Sequence, residues 1–208
     1  MFPEIKIIAS FLASIIAIIA YIPYLIDMFK GKNKPHLYTW ISIVMVTTIV
    51  AYIQLIGGAG IGAIPTIVGD LIDIVILFYC FRYGTKDIVE IDKVCLVISI
   101  IGVVVYVLFR TLPVFSLAIV TTAEIVSFIP TFRKTRNDPY SESLTSYYIV
   151  LIKLMLIIIA LQSYNLLTVS YSATWITIYV IFLLSVFYWR SNKKHHNGTS
   201  KNTFPQTT

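Results

Sequence analysis

Four ionisable side chains interrupt otherwise apolar runs of this chain: Asp70, Asp73, Glu124 and Lys153. Asp73 stands nine residues from Arg82, Glu124 nine from Arg133 and Lys153 nine from Leu144. At about 1.5 Å of rise per residue, helices through those runs would hold all three at one depth. A charge at the centre of a bilayer costs about 2.5–3.5 kcal/mol on insertion scales, so three together are expected to face one another across a polar cavity. Asp70 is one turn from Asp73, at i and i+3 on one helical face, and two carboxylates so close in a dry site resist being charged together. The chemistry this suits is uptake of a proton or cation by Asp73 or Glu124 in each cycle. Lys153 would offer charge to an anionic group of a solute or balance the empty site. A plainer reading makes Glu124 and Lys153 a buried ion pair that fixes packing, and leaves Asp70 and Asp73 without a basic partner. Gln54, with Thr47 and Thr48, adds neutral hydrogen-bonding capacity to such a cavity or to helix packing.

Other chemistries find little support. Cys80 and Cys95 lie in or beside apolar runs with no C-x-x-C spacing, which suits small packing residues. No Cys/His cluster and no nucleophile–base pair is visible, so neither an enzyme, a resident metal nor a cofactor is expected. Gly57, Gly58, Gly60 and Gly62 could suggest a phosphate loop, but no strand precedes them and a tight helix–helix turn fits better. Lys153 could form a Schiff base in a seven-helix photoreceptor, yet retinal proteins of the usual type keep that lysine on the last helix, and Lys153 lies in the sixth run.

The elements that must position these groups are membrane helices. Apolar residues make up 58% of the 208 and charged ones 12%, with a mean hydropathy of +0.85, well outside the soluble norm. Runs suited to spanning helices cover Ile7 to Phe29, Tyr38 to Ile56, Ala63 to Phe81, Val94 to Phe109, Pro113 to Phe132, Leu144 to Ser163 and Ala173 to Trp189. The first is too long for the apolar core of a signal peptide, and Glu4 and Lys6 make a poor leader, so it is expected to be retained. Lys30, Lys32 and Lys34 follow the first run, Arg82, Lys86 and Lys93 the third, Arg133, Lys134 and Arg136 the fifth, and Arg190, Lys193, Lys194 and Lys201 the seventh. Only Lys6 and Arg110 fall on the other side. That bias predicts an N-terminus outside and a C-terminus in the cytoplasm. The net charge of +6 is thereby a topology signal, with lipid and not nucleic acid as the partner. From Ser191 onward the chain is polar and aperiodic, which predicts a solvated tail. On that inner side the Asn197-Gly198-Thr199 glycosylation pattern is a chance match.

The runs also repeat. An offset of 107 sets Tyr21-Ile22-Pro23 over Phe128-Ile129-Pro130 and Trp40 over Tyr147, and an offset of 108 sets Phe81-Arg82 over Trp189-Arg190. Each copy has a helix with an internal proline, a basic loop with a second proline (Pro35 or Pro139), and a helix opening on aromatics. The predicted division is a first triple-helix repeat over 1–83, a loop and linker helix over 84–110, a second repeat over 111–190 and a disordered tail over 191–208. One linker crossing makes the two repeats parallel. Pro23 and Pro130 remove a backbone bond at matched depth and are candidate hinges, against the alternative of static kinks. Tyr21, Tyr24, Tyr38, Trp40, Tyr147, Tyr148, Tyr188 and Trp189 fit an interfacial aromatic belt, and the repeat-equivalent Trp40 and Tyr147 are candidates for an inner gate.

This all-α, three-plus-one-plus-three arrangement with a proline in the first helix of each repeat resembles the PQ-loop and SWEET-like superfamily of membrane transporters, in its bacterial type. The family's Pro-Gln dipeptide stands here as Pro23-Tyr24 and Pro130-Thr131, so the hinge proline carries over and the glutamine does not. The resemblance implies a multi-pass protein of a bacterial inner membrane that moves a small polar solute, such as a sugar, an amino acid or a vitamin, by rocking two bundles about a central site. Some relatives of similar fold are cargo receptors, so a sorting or ligand receptor is the alternative. Either a monomer or a homo-oligomer fits the sequence.

Overall fold

The computed structural model describes residues 2–31, 35, 37–84, 90–109, 112–137, 139–140 and 144–200. Among them are α1 (Pro3–Phe29), α2 (Leu37–Ile56), a 3-10 turn (Gly60–Ala63), α3 (Ile64–Tyr83), α4 (Glu90–Leu108), α5 (Pro113–Asn137), α6 (Leu144–Ala160) and α7 (Leu166–Ser200), and no strand. Three stretches, Pro3–Ile26, Gly60–Tyr83 and Leu166–Asn192, are long and apolar enough to cross a membrane. Trp40–Ile56, Leu96–Tyr106 and Tyr147–Ala160 are apolar stretches within α2, α4 and α6. Large apolar side chains such as Phe11, Phe78 and Leu184 stand exposed on the outer faces of their helices, an exterior built for an apolar solvent.

The helix ends follow local chemistry. Pro3 opens α1 at its first turn, where its missing N–H is not needed, with Glu4 beside it at the positive end of the helix dipole. That places the start four residues before the expected Ile7. Pro23 lies inside α1. The start of α7 at Leu166, well before the expected Ala173, comes from Asn165. Its Oδ1 accepts the backbone N–H groups of Leu167 at 2.9 Å and Thr168 at 3.2 Å, while Thr168 Oγ1 accepts the N–H of Asn165 at 3.1 Å. This reciprocal cap closes the first turn. At its other end α7 continues to Ser200, past the expected boundary at Ser191, because no proline or glycine interrupts it before Gly198. Residues 201–208 lie outside the described residues.

Two helix triplets each have a central member. In the first, α3 lies between α1 and α2; in the second, α7 lies between α5 and α6. α4 packs on α2 and α5, and α1 packs along α6. The matching loops behave alike. Pro35 and Pro139 are both buried; α3 ends at Gly84, where a Cβ would lie 2.9 Å from the Pro35 carbonyl oxygen. In the second group Arg190 Nε donates to the Pro139 carbonyl at 2.8 Å.

Candidate functional site

α3 contributes the acidic pair. Asp70 and Asp73 are 8% and 3% exposed, on the face that α3 turns towards its neighbours. The Tyr21 hydroxyl of α1 donates to Asp73 Oδ1 at 2.6 Å, and the Thr48 hydroxyl of α2 donates to Asp70 Oδ2 at 2.8 Å. Each carboxylate is thereby tied to a different flanking helix by a charge-assisted bond.

Lys153 of α6 is half-buried and lies within electrostatic reach of Asp73. No hydrogen bond or ion pair joins it to a side chain among the described residues. The acidic pair therefore does have a basic neighbour, and it comes from the opposite group. Tyr171 and Tyr179 of α7 lie within electrostatic reach of Tyr21. The result is a cluster with two acids on α3, a base on α6 and phenols from α1 and α7. The side chains of Glu124 and Pro130 lie outside the described residues, so the expected pairing of Glu124 with Lys153 and the second hinge do too; so does the side chain of Cys95. Cys80 is a free, buried thiol packed with Met28, Trp40 and Ile76, the packing role expected for it. Among the described residues no cluster of three or more His, Cys, Asp or Glu side chains could hold a metal ion.

Tyr21 was expected in an aromatic belt and instead serves the site. Its repeat partner Phe128 packs edge-on against Tyr147, Trp175, Tyr179 and Phe182. A hydroxyl on one side and a bare ring on the other mark where the two groups diverge, and the Tyr/Phe mismatch in the repeat was the available signal. We expect Tyr21→Phe to be tolerated sterically and to lower stability by about 1.5–3 kcal/mol, the worth of a hydrogen bond to a charged group. An unchanged unfolding midpoint in detergent would show that the bond contributes nothing.

The two proposed gate residues separate. Trp40 packs with Met28, Ile76 and Cys80 and donates from Nε1 to the Tyr24 hydroxyl at 3.2 Å, within the first group. Tyr147 packs edge-on against Phe128 and Tyr179 and tilted against Phe182, within the second. Between the groups, the buried apolar clusters among the described residues lie from mid-depth towards the end that carries the Gly57–Ala63 turn. One joins Ile49, Val50 and Ile53 to Leu117 and Val120; another joins Ala13 to Leu154 and Ile157; a third joins Ala59 and Ala63 to Leu161. At that end the segment after α6 docks on the glycine turn, with Gln162 N–H donating to the Ala59 carbonyl at 3.0 Å and Asn165 Nδ2 to the Gly57 carbonyl at 2.7 Å. Gln54, also singled out in the sequence, is fully buried on α2 near this seal.

No family model, curated protein or solved structure matches the chain.

Proposed function

We propose that the chain is a seven-span secondary transporter of a small polar solute, with its N-terminus outside and its C-terminus in the cytoplasm. It would work by rocking α1–α3 against α5–α7, with α4 as the linker, in the manner of PQ-loop and SWEET-like proteins in a bacterial inner membrane. The observation that supports this is where the two groups touch. Their shared apolar clusters run from mid-depth to the Gly57–Ala63 end, whereas at the basic end Met28, Trp40, Ile76 and Cys80 pack within one group and Phe128, Phe132, Phe182 and Trp189 within the other. Among the described residues the shared clusters keep to one end, while α1 alone runs along α6 towards the other, an arrangement that suits the inward-open half of an alternating-access cycle.

A solute entering from the basic end would meet Asp73, Lys153 and the Tyr21, Tyr171 and Tyr179 hydroxyls at the floor of the seal. Charge of both signs with neutral donors suits a sugar, an amino acid or a vitamin-like molecule. Helices that line a solute path face protein and solute as well as lipid, so they need not be apolar all round.

The test is a thermal-shift screen of small polar solutes on the purified protein, followed by uptake of each stabilising solute into proteoliposomes. Saturable uptake that Asp73→Asn abolishes is the expected result. A solute that binds tightly but never accumulates in the vesicles would overturn transport in favour of a receptor. Imposing a pH gradient on the same vesicles, with Asp73→Asn and Glu124→Gln compared, tests proton coupling. Unchanged dependence in both variants would remove it.

A further inference from the structure

Between the acidic pair and the sealed end lie buried polar atoms with no protein partner: both Oε1 and Nε2 of Gln54, Oγ1 of Thr66, Oδ1 of Asp70 and Oγ of Ser172. Gln54 and Ser172 are 0% exposed and Thr66 5%. Native interiors rarely leave such groups unpaired, and a polar site with several convergent partners holds ordered water.

Their placement is a ladder. Gln54 is two residues from the end of α2 and Thr66 is the third residue of α3; Asp70 and Ser172 are each the seventh residue of their helices. At about 1.5 Å per residue the first two lie about 3 Å below the helix ends and the second two about 9 Å below. Hydrogen-bonded oxygens stand about 2.8 Å apart, so about one or two waters would bridge the levels. Laterally, Thr66 and Asp70 share a face at i and i+4, and the Thr48 bond ties Asp70 to α2. α7 meets α2 at Gly57, where a Cβ would lie 2.9 Å from Leu167 Cβ and 3.0 Å from Thr168 Cγ2. That contact is one turn from Gln54 on α2 and one turn from Ser172 on α7.

We propose that Gln54, Thr66, Ser172 and Asp70 line a narrow water-filled lane that carries a proton between the Gly57–Ala63 end and Asp70. The proton is handed along the waters and hydroxyls and lands on Asp70 Oδ1, because Oδ2 already accepts from Thr48. A hydronium ion and the carboxylate become water and the carboxylic acid, with no other reactant. Among the described residues, the charged and titratable groups facing this carboxylate are Asp73 on α3 and, around Asp73, Tyr21 of α1 and Lys153 of α6, while α2 presents the Thr48 hydroxyl. Gln54 accepts from one water and donates to the next, so it suits a proton relay better than a bare cation site, where its amide donor would oppose the charge. The docked turns would stop a solute while this lane admits a proton, which gives the transporter reading its coupling ion and the route it takes.

The test reads water and proton directly, so it can fail while transport stands, and it can succeed in a receptor. Infrared difference spectra of the reconstituted full-length protein between acid and neutral pH are expected to show a carboxylic-acid band that Asp70→Asn removes. On transfer to heavy water, exchange of that band is expected to slow by about ten- to a hundredfold in Gln54→Leu and in Thr66→Val, as water partners are lost from the lane. Neither variant is expected to raise the thermal midpoint, since each removes a group bonded to water. Exchange as fast in both variants as in the unsubstituted protein would overturn the proposal, as would a raised midpoint in Gln54→Leu, the mark of a dry, unpaired amide. Absence of any Asp70-dependent band, or its loss on replacing potassium by sodium at constant pH, would overturn it as well.

Discussion

Asp73→Ala is expected to abolish uptake and to cost about 3 kcal/mol of stability, the low end for removing one partner of a buried charge pair. The low end applies because Lys153 is half-buried and interacts with Asp73 without direct contact. Two groups lose their complement at once. The Tyr21 hydroxyl loses the acceptor it reaches at 2.6 Å, and Lys153 loses the opposite charge it interacts with. Transport and stability separate in the double variant. Asp73→Ala with Lys153→Met removes both charges, so most of the lost stability should return while uptake stays absent. A double-mutant cycle on unfolding midpoints reads the coupling, with about 0.5–3 kcal/mol expected for interacting neighbours. Strict additivity would show that the two charges do not sense each other, and recovered uptake would show that Asp73 serves only packing.

Gly62→Val is expected to break the seal between the two groups. A Cβ at residue 62 would lie 2.8 Å from Leu161 Cα, 2.9 Å from its backbone nitrogen and 2.9 Å from its Cδ2. The backbone of the facing segment cannot rotate away as a side chain can, so Leu161 and the Gln162 bond to Ala59 must shift. Overpacking of this kind costs about 1–3 kcal/mol. In a rocking protein that cost falls on the sealed state alone and shifts the equilibrium towards the outward-open form by about five- to a hundredfold. Labelling of a cysteine placed at Ser163 by a membrane-impermeant reagent added outside should rise accordingly. Unchanged labelling together with an unchanged unfolding midpoint would mean that residue 62 does not seal the protein.

Much of the site was legible because polar residues in apolar runs are costly and conspicuous. Asp70, Asp73 and Gln54 stood out on that ground, and the structure buries all three. Lys153 stood out as well, but depth alone could not choose its partner; that required knowing that α6 packs along α1 and not only beside its own neighbours. Tyr21 and Thr48 were harder to recognise. A tyrosine near a helix end fits an aromatic belt, and a threonine fits any helix contact, until a second helix brings a carboxylate to it. The early start of α7 was readable in principle from Asn165 followed by Thr168, a capping pattern hidden by the polar Thr168, Ser170 and Ser172 that dilute the first turns.

The helices, their order, the glycine turn and the matched prolines follow from local rules, since apolar length, capping chemistry and backbone freedom act over a few residues. Which helix lies between which, that Trp40 and Tyr147 pack in separate groups, and that the shared apolar clusters among the described residues keep to one end are tertiary outcomes. They depend on side chains a hundred residues apart competing for the same space, as Asn165 does in reaching the Gly57 carbonyl. A periodic pattern along one chain encodes which face is apolar, but not which partner will cover it.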